Sequence, residues 1–332
     1  MAQIHCQVTD ASEVGQARRV GAGLAREAGL DETEAGRLAI VVTELGNNQV
    51  RHAGGGELLL RAMDGPRQGV EVLAIDRGRG FDPARCLVDG YSTAGTAGTG
   101  LGAIQRLSST FDLWSDARGS VLVSRIERGR PGARAPSPDW GVVNLPLPGE
   151  QDCGDTWCVR PRGDGVLAIV IDGLGHGSAA AAAARAGRAG FEGSRAEAPD
   201  EVLEAVHAAM AGTRGGAVSV AGVDPARGRV VAAGIGNVGV LLATAERSRG
   251  LPSQSGIVGQ GPARRRQSYA LDFEGGARLL MFSDGLQSRF SLRDYPGLLN
   301  YHPAVLAGVL YRDFRRGNDD VTVLALSLGS SA

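Results

Sequence analysis

Apolar residues recur every three to four positions along residues 11–28, at Val14, Ala17, Val20, Leu24 and Ala28, a spacing that predicts an amphipathic helix. A second helix follows it. Asp31 with Glu34 three residues later reads as a capping box, and Leu38, Val41, Val42 and Leu45 supply the apolar stripe. The run Ala53-Gly54-Gly55-Gly56 ends this helix. Strands are predicted at Glu57 to Ala62 and at Val70 to Ile75. A later helix carries Leu101, Ile104, Leu107 and Phe111, and two strands near Phe111 to Ser115 and Ser120 to Ile126 close the block. Residues 128 to 138 hold Pro, Gly and Arg without apolar period, the mark of a linker. Beyond it short strands dominate, at Gly141 to Leu145, Thr156 to Arg160, Val166 to Ile171, Ala217 to Val223, Arg229 to Gly234, Val238 to Ala243, Ala277 to Phe282 and Val321 to Leu328. Helices are predicted at Ser178 to Phe191, Pro199 to Ala211 and Pro303 to Arg315. No internal repeat is visible. The organisation expected is an α/β domain over 1–127, a linker over 128–139 and a strand-rich domain over 140–332.

Length and composition agree with two domains: 332 residues, 43% of them hydrophobic, with a formal net charge of -1. That balance points away from a disordered tail and from a nucleic-acid-binding surface. No apolar run is long enough for a membrane span, and no basic-then-apolar leader opens the chain, so a cytoplasmic location without membrane or nucleic-acid partners is expected. Cys153 and Cys158 would point to opposite faces of one strand, which reads as small buried residues rather than a metal pair. Cys6 and Cys86 have no motif around them.

The strand ends carry the candidate chemistry. Val166 to Ile171 runs into Asp172-Gly173-Leu174-Gly175-His176-Gly177. Leu279 to Ser283 leads into Asp284-Gly285, Asn318-Asp319-Asp320 precedes Val321 to Leu324, and Gly154-Asp155 comes earlier. One Asp-Gly is only a turn signal. Four acidic positions at strand edges, with glycine letting backbone approach, predict a carboxylate cage for Mg²⁺ or Mn²⁺. His176 reads either as a general acid or as a residue hydrogen-bonded at a helix start. His207, with Leu203 and Met210, reads as structural, and Arg264-Arg265-Arg266 as a solvated loop.

The N-terminal block holds a second constellation. Glu44 and Asn48 share one helix face, with Asn47 and His52 nearby. Asp76 ends a strand and is followed by Gly78 and Gly80. Gly98-Thr99-Gly100-Leu101-Gly102 opens a helix, an arrangement that binds phosphate through free N–H groups. Asp76 suits an adenine amino group, Asn48 suits Mg²⁺, and Glu44 suits a general base.

Residues 36 to 126 resemble the GHKL ATP-binding fold. Thr43 to Asn48 with His52 resembles its N box, Asp76 to Gly80 its first glycine box and Gly98 to Gly102 its second. Asp89-Gly90-Tyr91-Ser92-Thr93 is most similar to the RsbT-type switch serine/threonine kinases. The resemblance implies ATP as ligand, Glu44 activating a substrate hydroxyl, Asn48 on Mg²⁺, Asp76 on adenine and an ATP lid over 90–100. Gly119-Ser120 stands where that family often has Gly-Thr. Related anti-sigma factors share the boxes, so a sigma-binding module, or a scaffold whose ATP site only senses nucleotide, remains the alternative to a kinase. Residues 140 to 328 resemble the SpoIIE-like branch of the PPM phosphatases, and within it the RsbX-type enzymes, through Gly154-Asp155, Asp172 to Gly177, Gly236 to Gly239, Ser283 to Gly285 and Asn318 to Thr322. This implies a GHKL α/β sandwich followed by a PPM αββα sandwich. It also implies a binuclear Mn²⁺/Mg²⁺ centre with Asp172 bridging, the Gly173 carbonyl as ligand, and Asp155, Asp284 and Asp319 completing the shell. Asp320 stays open, since one of the adjacent pair suffices. The partner implied is a STAS-domain regulator.

Overall fold

The computed structural model describes residues 3–64, 67–83, 100–129, 138–163, 165–261 and 266–329. The chain divides into two compact units, Met1–Ala135 and Pro136–Ala332.

In the first unit, β1 (Ile4–Val8) precedes α1 (Ala11–Glu27) and α2 (Glu32–Asn48). Then come β2 (Gly56–Met63), β3 (Gly69–Ile75), α3 (Gly100–Leu107), β4 (Thr110–Asp116) and β5 (Gly119–Glu127). Among the described residues the strands form a five-stranded sheet in the order β1-β2-β3-β5-β4. Alternate residues Leu58, Leu60 and Ala62, then Val70, Val72 and Ala74, face one side. There they pack with Val14, Leu24, Leu38, Val41 and Leu45 of the helices. Asp31 caps α2 in a full capping box, as its spacing with Glu34 predicts. The opposite strand phase carries a charged row in register, Arg61 opposite Glu71 and Glu71 opposite Arg125. Arg61 Nε and the Arg125 guanidinium each donate to Glu71 at 2.7 Å. All three are buried. Glu71→Ala leaves two buried cations without their shared carboxylate and should cost about 3–5 kcal/mol. Urea unfolding of the variant checks this, and a midpoint equal to wild type contradicts it.

Three strands and one helix end depart from the sequence expectation. β1 buries only Cys6 and Val8, too few inward positions to signal a strand. Phe111 lies on β4, not on the helix with Leu107: α3 stops there and the Ser108 hydroxyl bonds back to the Ile104 carbonyl. The two other strands lie in the second unit.

That unit contains β6 (Trp140–Leu145), β7 (Asp155–Arg162), β8 (Gly165–Gly173), α4 (Ser178–Gly193), α5 (Pro199–Ala209), β9 (Gly216–Asp224), β10 (Arg229–Ile235), β11 (Gly239–Ala243), β12 (Ser248–Leu251), β13 (Ser268–Asp272), β14 (Ala277–Phe282), α6 (Pro303–Phe314) and β15 (Val321–Leu328). Among the described residues two antiparallel sheets form, ordered β13-β10-β9-β8-β7 and β12-β11-β14-β15-β6. One face of each supplies the central core: Val166, Ala168, Val170 and Val223 meet Val142, Leu279, Met281 and Leu324. The other phase of β8 and β9, including Ile169, Ile171 and Val220, packs under Ala183, Phe191 and Val206 of α4 and α5. On the second sheet α6 packs against β6 and β15. The architecture is an αββα sandwich. β12 and β13 escape sequence reading because they are short, largely exposed edge strands with polar residues along them.

Candidate functional site

The first unit gathers its polar residues where α2, α3 and β3 end or begin. Glu44 and Asn48 lie one helical turn apart and are partly exposed. The start of α3 comes up to them. A Cβ at Gly100 would stand 3.5 Å from Glu44 Oε2 and 3.7 Å from both Asn48 side-chain amide atoms. Glycine there keeps the space above that face open. Asp76 follows the last residue of β3. Its Oδ1 accepts from the Gly78 amide at 2.8 Å and from the Ser120 amide at 3.2 Å, and its Oδ2 accepts from the Ser120 hydroxyl. Serine at 120 thus holds the Asp76 carboxylate through both its amide and its hydroxyl. Gly80 and Gly119 adopt left-handed φ of 68° and 127°, and a Cβ on either would lie 2.0 Å from a carbonyl oxygen. Both turns around Asp76 need glycine on two counts.

Past Asn48 the chain makes a π turn, Gln49–Ala53, before Gly54 ends it at φ 72°. Gln49 is buried and its amide donates to the carbonyls of Glu57 and Ile75. It ties the helix end to the strand residue just before Asp76. Gly78 sits beside Ala53, and Leu101 and Gly102 belong to α3. Gly98, Thr99 and the loop from Asp89 lie outside the described residues.

In the second unit strand pairing does the gathering. Asp155 and Asp172 are direct partners across β7 and β8. Asp284 follows β14 and Asp319 precedes β15, which pair with each other. Asp172, Asp284 and Asp319 line one cleft of about 400 Å³, with Asn237 and Ser253 to Ile257 on its far wall. Asp155 is buried beside Asp172. Among the described residues no three His, Cys, Asp or Glu side chains are drawn close enough to form a closed ligand set. The carboxylates border the cleft instead.

Their electrostatics are lopsided. Burial, and then the carboxylates of Asp284, Asp319 and Asp320, push Asp172 up to about 7. Burial and Asp172 hold Asp155 well above the usual carboxylate range, against the Ser283 hydroxyl. Asp284 is raised by burial and Asp319, with Arg316 and the Asn237 amide opposing. Asn237 donates to Asp284 Oδ2 at 2.6 Å. A cluster of hard oxygen donors, raised by burial and then by its own charge, suits a divalent cation.

Asp319 and Asp320 take different places. The Asp320 carboxylate is buried and accepts from the Leu147 amide at 2.8 Å and the Gly154 amide at 3.0 Å. It fixes the turn before Asp155, whereas Asp319 faces the cleft. A buried network holds the rest: Ser283 Oγ donates to Asp155 Oδ2 at 2.5 Å, the Thr322 amide donates to Ser283 Oγ, and the Asn144 amide donates to Thr322 Oγ1 at 2.8 Å. Asn144 was not a sequence candidate. Its signal was a lone polar residue inside the apolar strand Gly141 to Leu145. The wall from Ser253 to Ile257 had no such signal. Gly173 hydrogen-bonds the Gly154 carbonyl and has no room for a Cβ, which would lie 2.4 Å from the Ala180 oxygen. His176 pairs with Glu150 at 2.9 Å and is exposed. His207 Nδ1 accepts from the Gly259 amide, a structural contact. Cys153 lies ahead of β7 rather than on one strand with Cys158, and burial pushes its thiol well up.

Known families match both units. Residues 8–126 fit the histidine kinase-like ATPase domain, and residues 162–329 fit stage II sporulation protein E (SpoIIE). The serine/threonine-protein kinase RsbT of Bacillus subtilis (strain 168) is 32% identical over 117 residues, 35% of this chain and 88% of that protein. The phosphoserine phosphatase RsbX of the same organism is 23% identical over 145 residues, 44% of this chain and 73% of that protein. A chain solved in work on the bacterial stressosome, described as a modular system adapted to control secondary messenger signaling, superposes with a TM-score of 0.52 at 26% identity. It covers 57% of this chain and 98% of its own length.

Proposed function

The chain belongs to the SpoIIE family through its second unit and to the family of the RsbT kinase through its first, and from that premise we propose a partner-switching protein with two opposed activities. The first unit transfers phosphate from ATP to a serine or threonine of a STAS-domain regulator. The second removes phosphate from phosphoserine or phosphothreonine with Mn²⁺ or Mg²⁺. The observation that carries this reading is the meeting of Asp172, Asp284 and Asp319, from three distant stretches, at one cleft above Asp155.

In the first unit Glu44 takes the proton of the attacking hydroxyl. Asn48 offers its carbonyl oxygen to Mg²⁺ beside the phosphates. Asp76, held by Gly78 and Ser120, keeps lone pairs for the adenine amino group, and Gly78 and Gly80 leave room for the ring. Residues Gly98 to Gly102 cradle phosphate at the start of α3. In the second unit Asp155, Asp172, Asp284, Asp319 and the Gly173 carbonyl would hold the divalent cations. When bound, these cations supply an activated water and neutralise phosphoryl charge. Asn237 and Ser283 fix the Asp284 and Asp155 carboxylates, and Asp320 anchors the Gly154 turn. Among the described residues no helix is long and apolar enough to cross a membrane.

Two measurements follow from the charge of the cluster. Hydrolysis of p-nitrophenyl phosphate should require Mn²⁺ or Mg²⁺ and stop in EDTA; full activity in EDTA contradicts the reading. Stability of the metal-free chain should fall with pH. Asp172 binds its proton more tightly folded, at about 7, than its ordinary 3.8, so its stabilising contribution is full below about 3.8 and lost as pH rises through about 7. The second unit should therefore melt lower at pH 7.5 than at pH 5.5 in EDTA, by about 2–4 °C for each kcal/mol, and Mn²⁺ should restore it most at the higher pH. Calorimetry with and without EDTA checks this, and a flat profile contradicts it.

A further inference from the structure

A second cleft, of about 700 Å³, opens beside the carboxylate cleft and shares no residue with it. It is lined by Gln287, Ser288, Arg289, Arg316 and Asn318. Both arginines are exposed, and among the described residues neither has an ion-pair or side-chain hydrogen-bond partner.

The two arginines do not sit on loose chain. The Arg316 amide donates to the Gly285 carbonyl at 2.9 Å and the Gln287 amide to the Phe314 carbonyl at 2.9 Å. Leu286 and Arg315 form an isolated β-bridge between these contacts. The zipped segments lead straight into Asp284 on one side and Asp319 on the other. Arg316 also acts on the Asp284 carboxyl, holding it down against burial. Two cations on anchored chain thus stand next to the carboxylate cleft, with no close ion-pair or side-chain hydrogen-bond partner among the described residues. A guanidinium fork binds carboxylate or phosphate oxygens in a bidentate way.

We propose that Arg289 and Arg316 form an accessory anion subsite for the protein substrate. It takes a negative group flanking the phosphorylated residue, either an acidic side chain or a second phosphoryl group, and so selects which phosphoprotein is dephosphorylated. This rests on the phosphatase reading above. The separateness of the cleft assigns the arginines to a neighbouring group rather than to the phosphoryl group being hydrolysed.

The test is steady-state kinetics of the Mn²⁺-loaded full chain and of the Arg289→Gln/Arg316→Gln double variant. The substrates are p-nitrophenyl phosphate and three phosphoserine peptides, with flanking Asp and Glu, with Asn and Gln in their place, or with a second phosphoserine. Wild type should show a KM roughly tenfold lower for an anionic flank than for the neutral one, as charge-assisted contacts allow. The flank that is favoured identifies the source of the anion. The double variant should lose the preference, and Arg289→Gln alone should weaken it while keeping kcat and its rate on p-nitrophenyl phosphate. A preference that persists in the variant, or none in wild type, overturns the subsite. So does an equal rise in KM for p-nitrophenyl phosphate. If wild type hydrolyses no substrate, the phosphatase reading itself fails, and fluorescence anisotropy of the same peptides still decides the subsite. Tighter binding of an anionic flank, lost in the variant, supports it, and equal binding overturns it.

Discussion

Asp172→Asn should lower Mn²⁺-dependent hydrolysis of a phosphoserine substrate by about a thousandfold or more. A thousandfold loss is about 4 kcal/mol of transition-state stabilisation, the several kcal/mol that a cation acting as Lewis acid contributes. Asparagine keeps the size of the side chain and removes its charge. The effect on stability should run the other way. Burial and three neighbouring carboxylates all oppose the ionised form of Asp172. Above about pH 7, in EDTA, the variant should melt at a higher temperature than wild type. Loss of turnover with raised metal-free stability separates a lost ligand from a damaged fold. Near-wild-type turnover with Mn²⁺ contradicts the assignment, and a lowered melting temperature in EDTA contradicts the electrostatic account.

Glu44→Ala should retain Mg-ATP binding within a few-fold and lose phosphotransfer by about 10²–10⁴-fold, the usual range for a general base. Asn48→Ala should instead weaken Mg-ATP binding. The two residues lie on one face of α2 beside Gly100, so a shared disturbance would move both properties together. Isothermal titration with radiolabelled transfer resolves them. Wild-type transfer by Glu44→Ala would mean that Glu44 is not the base or that the first unit is no kinase, which leaves the sigma-binding alternative.

The fold was legible where one-sided apolar patterns are long. The stripe Leu38, Val41, Val42, Leu45 and the capping box of Asp31 specify α2 without help from the rest of the chain. β1 and the edge strands β12 and β13 bury too few residues to leave a pattern. Phe111 fitted both a helical and a strand period, and the turn at Ser108 decides for β4. At the carboxylate cleft the acidic strand ends were legible as a group, because each is an Asp beside glycine or asparagine after or before an apolar run. Asp319 and Asp320 were not distinguishable, since adjacency gives them the same signal. Their roles separate only through the amides of Leu147 and Gly154, far away in sequence. The π turn at Gln49 and the row Arg61, Glu71, Arg125 likewise depend on strand register that no local pattern encodes.

A kinase unit and a phosphatase unit on one chain have a simple use if they share a target, since tethering raises the effective concentration of the second site without any new contact. Wild type with Mg-ATP, Mn²⁺ and a STAS-domain partner should consume ATP while little phosphopartner accumulates. The direct test uses Asp172→Asn to phosphorylate the partner, maps the modified serine or threonine by mass spectrometry, and offers the product to Glu44→Ala. A shared target predicts accumulation at a single residue with the first variant and its removal by the second. A phosphate placed by Asp172→Asn that Glu44→Ala cannot remove would contradict it.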